Sequence, residues 1–192
     1  MSSGQASSAS REEPEEPVPA PDPVEFEQLY SLYFEFTWRV LRHLGVPGAA
    51  LDDAVQEVWL VVHQRLGRFE GRSTLKTWLF GIALNVMRNQ RRADERRQRH
   101  LHEPALAREL PLDPETEHLG REAWQRVQRF LATLDEERRA IFICSLLEHL
   151  PAQQTAEATG VDVTTVYQRV RSLRHAFKTW LDASNAEPAG AP

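Results

Sequence analysis

Apolar residues recur at helical spacing through most of the chain, and no stretch shows the two-residue alternation of a half-buried strand. Phe26, Leu29, Tyr30, Tyr33, Phe34, Thr37, Val40, Leu41 and Leu44 predict a first helix, which Gly45 and the Val46-Pro47-Gly48 segment end. Leu51, Ala54, Val55, Val58, Trp59, Val62 and Leu66 predict a second. Gly67 to Ser73 reads as a loop with Gly71 as its turn residue. Ser73 is placed to cap a third helix, from Thr74 to about Arg97. That helix is apolar on most sides at first (Leu75, Trp78, Leu79, Ile82, Ala83, Val86). It then turns almost wholly charged or amide in QRRADERRQRH. It leaves a core and projects a basic end.

Pro104, Pro111 and Pro114 mark the following stretch as a linker. Leu119, Ala123, Val127, Phe130, Leu131 and Leu134 then give another helical stripe. Asp135 suits the cap of the next helix, which carries Ile141, Phe142, Cys144 and Leu146 inside. PAQQTAEATG reads as a short helix with Pro151 at its start and Gly160 in the turn after it. Val161 would plug the core, and Asp162 would cap a last helix with Val163, Val166, Val170, Leu173, Phe177 and Leu181 on one side. Its outer positions are Thr164, Thr165, Gln168, Arg169, Arg171, Ser172, Arg174 and His175. Small polar residues first and arginines afterwards, behind a short helix and a Gly turn, describe a helix-turn-helix over about Leu150–Leu181. Thr and Gln can approach base edges, while Arg reaches guanine or phosphate. A plain helical hairpin with a solvated charged face is the competing account. Thr155 and Thr159 stand where such helices usually bury larger apolar groups, so thinner packing is expected there.

The expected fold is all-α: two small helical domains joined by a flexible linker. The boundaries are a disordered acidic tail over 1–23, a first domain over 24–97, a linker over 98–117, a second domain over 118–182 and a short tail over 183–192.

Charge sharpens this picture. The 192-residue chain has a formal net charge of −5, which argues at first against nucleic acid. Residues 1–25 hold one arginine and six acids, so they carry the whole imbalance. The tail either solubilises the chain or masks Arg88–Arg99, and solubilising is the simpler role. Residues 88–100 hold six arginines against Asp94 and Glu95, a segregated basic stretch of the kind that binds phosphate.

Other chemistry is thin. Cys144 is the only cysteine and sits in the apolar run AIFICSLL, which reads as a buried thiol. His100 and His102 are the one close histidine pair and have no cysteines nearby, so no metal is expected. There is no phosphate-loop motif and no nucleophile beside a base, so neither a cofactor nor an enzyme activity is expected. The N-terminus lacks a basic start and an apolar stretch, and no apolar run reaches the ~18 residues of a membrane span. A cytoplasmic protein without membrane insertion is the expectation.

The run LDDAVQEVWLVVHQRLGRFEGRSTLKTWLFGIALNVMRNQRR resembles the second conserved region of bacterial RNA polymerase sigma factors of the extracytoplasmic-function class. It holds a D-x-x-Q-E-V-aromatic-L helix, an F-x-G-x-S segment leading to T-W-L, and an I-A-x-N run. LATLDEERRAIFICSLLEHLPAQQTAEATGVDVTTVYQRVRSLRHAF resembles the fourth region, a less specific match. Together they cover about Phe26 to Leu181.

The resemblance implies an initiation subunit that binds core RNA polymerase, brings it to specific promoters and helps melt the −10 region. Asp53, Gln56 and Glu57 would dock on the polymerase clamp. Phe69 and Asn85 would capture an extruded −10 base, by stacking and by hydrogen bonding, although core packing and helix–helix bonding are the alternatives for each. Trp78 reads better as core. Arg88, Arg91 and Arg92 would hold phosphates near the melted strand. Thr164, Thr165, Gln168, Arg169, Arg171 and Arg174 would face the −35 element. Tyr167 replaces the lysine common there, which removes one phosphate contact. An anti-sigma factor is the implied controller. Two other functions fit the residues alone: a free-standing DNA-binding regulator, and a helical interaction protein whose basic face is merely solvated.

Overall fold

A computed structural model describes residues 23–101 and 118–186. Among these residues, seven α-helices follow in order: α1 (Pro23–Leu44), α2 (Gly48–Arg65), α3 (Leu75–Leu101), α4 (His118–Ala132), α5 (Glu136–Phe142), α6 (Ala152–Thr159) and α7 (Val163–Ala186). The tail over residues 1–22, most of the expected linker (102–117) and residues 187–192 lie outside the described residues.

The local sequence explains where these helices stop. Gly45 takes a positive φ of 96° after α1. Its N–H bonds to the Arg42 carbonyl, and the Val46 N–H reaches back to Leu41, both at 3.1 Å. This paired closure needs a residue free to adopt the left-handed region. A single turn of 3-10 helix over Leu66–Arg68 ends α2. The cap of α3 differs from the expectation. Thr74, not Ser73, takes that place: its hydroxyl accepts the Thr77 N–H at 3.2 Å and its carbonyl the Trp78 N–H at 3.0 Å. Gly71 takes a positive φ of 69° in the preceding turn, as expected of its turn residue. Two helices also outrun their expected ends, because the charged stretch up to Leu101 and the residues up to Ala186 continue as helix without a breaker.

The first domain packs α1, α2 and α3 around Val40, Leu41, Ala54, Val58, Val62, Leu79 and Ala83, all essentially inaccessible to solvent. The valines and leucines among them each contribute roughly 1.5–3 kcal/mol on burial, the alanines less. The second domain closes around rings. Phe130 lies 5.3 Å from Phe142 and 5.0 Å from Phe177, and Phe142 lies 5.4 Å from Phe177. After α5 the chain widens into a π-helical turn over Ile143–Leu147, closed by a bond from the Glu148 N–H to the Ile143 carbonyl at 2.9 Å.

The expected helix-turn-helix is present. Gly160 adopts φ 72° at the end of α6, and Asp162 accepts the N–H groups of Thr164 and Thr165 at the start of α7. The expected thinning at its threonines does not occur. Thr155 is fully buried, and its hydroxyl pairs with that of Ser145 at 2.9 Å. Thr159 donates to the Thr155 carbonyl at 2.6 Å. Each buried hydroxyl therefore has a partner, which removes the penalty of placing it in a core.

The two domains pack directly on one another, with α3 lying along α6. A Cβ added at Gly81 on α3 would sit 3.5 Å from the Ala158 carbonyl oxygen on α6, an ordinary contact that leaves little further room.

Candidate polymerase and nucleic-acid interfaces

Helix α3 carries two distinct stripes, a consequence of its 3.6-residue turn. Trp78, Asn85, Asn89, Arg92 and Arg96 fall within about 60° of one another around its axis. All but the half-buried Trp78 are exposed. The Phe69 ring packs against Trp78 at 5.0 Å with a tilt of 38°, at the head of this stripe. Asn85 follows two turns later, about 10 Å along the axis. Phe69 and Asn85 thus bound one open face, with arginines beyond it.

Thr77, Gly81, Leu84, Arg88 and Arg91 occupy the other stripe, turned roughly 90° away. This one faces the second domain. The Thr77 hydroxyl donates to the Gln154 amide oxygen at 3.1 Å. Arg88 Nε donates to Glu136 Oε1 at 2.8 Å, and Arg91 Nη1 donates to Glu136 Oε2 at 3.3 Å. Arg91 also bonds Glu95 on its own helix at 3.0 Å. The arginines expected on one DNA surface are therefore divided, with Arg92 on the open stripe and Arg88 and Arg91 on the domain junction.

Two more arginines tie the junction. Arg39 on α1 makes a two-armed pair with Glu148, Nε to Oε1 at 3.1 Å and Nη2 to Oε2 at 3.0 Å. This hydrogen bonding outweighs partial burial and holds the Arg39 pKa above its ordinary value. Arg139 donates to the carbonyls of Leu131, Leu134 and, across the junction, Leu44, at 3.0, 3.1 and 3.3 Å. Burial, and then the charge of Arg91, pull its pKa down.

Within the first domain, α1 and α2 enclose an open groove of about 500 Å³, lined by Phe26, Tyr30, Phe34, Val55, Trp59 and Leu60, with Asp52, Gln56 and His63 at polar positions. Asp53 is exposed on the same helix. Glu57 is only half-exposed and accepts from the Gln90 amide at 3.1 Å, so it also ties α2 to α3.

On α7, Thr164, Gln168, Arg171 and Arg174 are exposed. Thr165 and Arg169 are half-buried, and Arg169 meets Glu137 at 3.4 Å. Tyr167 stands out from this surface with 65% of its area exposed.

Family models of sigma-70 region 2 and sigma-70 region 4 match residues 29–97 and 124–174, together well over half of the chain. The RNA polymerase sigma factor NccH of Alcaligenes xylosoxydans xylosoxydans is 27% identical over 168 residues, covering 85% of this chain and 90% of that one. The extracytoplasmic-function sigma-E factor of Escherichia coli is 29% identical over 141 residues, covering 69% and 74%. The fold is shared with the sigma factor RpoE of Bartonella quintana, solved in complex with the anti-sigma factor NepR, at a TM-score of 0.72 and 21% identity over 82% of this chain and 97% of that one. The chain is an extracytoplasmic-function sigma factor.

Its function is promoter-directed initiation of transcription with RNA polymerase, which it joins at promoter DNA. In this sigma factor, among the described residues, no helix is long and apolar enough to cross a membrane, and no group of three or more His, Cys, Asp or Glu side chains could hold a metal ion. The sequence reading missed the acids at the domain junction. Glu136 and Glu137 read as ordinary first-turn carboxylates, favourable at any helix start. Their arginine partners lie 45 and 48 positions earlier on α3 for Glu136, and on α7 for Glu137. No local pattern marks such pairs. The groove between α1 and α2 was missed too, because its rings fall on the same periodic stripe as the core.

Proposed function

We propose that the open stripe of α3 receives the −10 element, that the outer face of α7 reads the −35 element, and that the exposed side of α2 docks on the polymerase. The observation that carries this reading is the sequence Phe69–Trp78, Asn85, Asn89, Arg92 along one exposed face. A stacking platform, amides and a cation in line suit an unpaired base followed by its phosphate backbone. Strand opening follows from binding the melted strand better than the duplex, a shift of populations. Thr164, Thr165, Gln168, Arg171 and Arg174 suit a major groove, with Arg169 joining once Glu137 releases it. Gln56 borders the apolar groove and Asp53 stands exposed on the same helix, and together they suit a basic partner with an apolar ridge. Glu57 would support that surface from beneath. The protein works in the cytoplasm, where its polymerase is. An anti-sigma factor is its controller in this reading, supported by RpoE, which shares its fold and was solved in complex with the anti-sigma factor NepR.

Run-off transcription with purified core polymerase on a promoter library tests the proposal. Promoter-specific transcripts should appear with the wild-type protein and fall when Asn85 or Arg171 is replaced. A response to neither substitution would remove these two faces from promoter recognition.

A further inference from the structure

We propose that Glu136 stands in for a DNA phosphate: it fills the Arg88–Arg91 seat in the free protein and helps keep the molecule in a closed form that DNA must displace. This rests on the reading of α3 as a DNA-binding helix.

The geometry of the seat comes first. Two arginines on successive turns of α3 each send an N–H to a different oxygen of one carboxylate, at 2.8 and 3.3 Å. Two guanidinium groups converging on two oxygens of one small anion is an arrangement that suits a phosphate equally well. The Arg88 and Glu136 side chains are only 28% and 30% exposed, so solvent and salt screen this pair less than an open surface pair. The neighbouring acid repeats the pattern toward the other DNA-reading helix, since Glu137 meets Arg169 of α7 at 3.4 Å. The first turn of α5 thereby neutralises arginines on both helices assigned to DNA.

Reach supplies the second line. The −10 and −35 elements lie roughly 25 base pairs apart, about 85 Å along a duplex. In the closed molecule α3 touches α6 directly, through Thr77 and Gln154 at 3.1 Å and through Gly81 against Ala158. A 27-residue helix spans only about 40 Å. Both elements cannot be held in this arrangement, so promoter binding requires the domains to part. Parting them takes Glu136 off Arg88 and Arg91 and frees those arginines for phosphate. Arg39–Glu148 secures the same junction elsewhere without touching the seat.

The test uses the full chain without polymerase and a labelled, mixed-sequence single strand of about 20 nucleotides, since phosphate contacts ignore sequence. Anisotropy reads affinity, and small-angle scattering reads size. Glu136→Gln keeps the shape of the side chain and removes its charge. It should tighten binding about five-fold, the gain expected if the open form rises from roughly a fifth of molecules to nearly all, and should increase the radius of gyration. Glu27→Gln, an exposed site on α1 with the same change in charge, is the control. Arg88→Gln cuts the bond from the other side, so it should also enlarge the molecule but weaken strand binding. Opposite effects on affinity with the same effect on size are the signature of the latch. If Glu136→Gln binds no tighter than Glu27→Gln, or if either junction variant stays as compact as wild type, the proposal is overturned. Run-off transcription separates this from the wider reading. Promoter-specific transcripts without tightening by Glu136→Gln sink the latch alone. Tightening and expansion without such transcripts sink the promoter reading and leave the latch standing.

Discussion

Asn85 lies mid-way along the exposed stripe of α3, flanked by buried Leu84 and Val86 that fix its helix in the core. Losing its amide removes hydrogen-bonding capacity without opening a cavity. Asn85→Ala should therefore impair binding of a melted −10 strand while leaving polymerase binding, measured by co-purification, nearly unchanged. Equal loss of both would mark the residue as structural. Arg171 on α7 is exposed as well. Arg171→Ala should weaken −35-dependent binding by about 1–3 kcal/mol if it reaches a base edge, and a footprint identical to wild type would remove it from the interface. The exposure of these residues was legible in the sequence, because helical register sets which side of a helix a residue takes; the role expected of Asn85 came from the family resemblance. Glu136 was not legible, because its meaning lies in two arginines on another domain. The case of Thr155 and Thr159 is similar. Residue type suggested a thin core, but partners at Ser145 and within α6 make the hydroxyls acceptable there.

Elements were read well in kind and less well at their ends. The caps at Asp135 and Asp162 stand where the sequence put them, each accepting N–H groups of the first turn. The cap of α3 falls on Thr74 and not Ser73: both residue types can do the task, so side-chain type alone does not choose between the two neighbours. Thr74→Ala should accordingly cost about 1 kcal/mol in urea unfolding, and Ser73→Ala clearly less. The reverse order would return the cap to Ser73. The π-helical turn at Ile143–Leu147 had no visible signal, since the run ICSLL is equally compatible with an ordinary helix.

At the scale of the whole molecule, the two all-α domains were readable and their packing was not. Periodicity reports which face of a helix is covered, never by what. Gly81 offers the cleanest handle on that packing. Its Cβ position lies 3.5 Å from the Ala158 carbonyl oxygen, so alanine fits and a longer side chain is brought up against α6. Gly81→Leu should favour the helix itself, by about 0.8–1 kcal/mol in propensity, yet drive α3 from α6. The expected result is a larger radius of gyration with helix content preserved by circular dichroism. A variant as compact as wild type would show that α6 yields instead.

Cys144 is buried, and desolvation pushes its thiol up to about 12, despite a hydrogen bond with Thr155 that pulls the other way. A thiol that stays protonated at neutral pH and out of reach of reagents is a poor nucleophile. With no other cysteine in the chain, the folded protein should be silent toward maleimides. A dye attached through a cysteine introduced on either domain would report from that place alone, with no need to remove the native one.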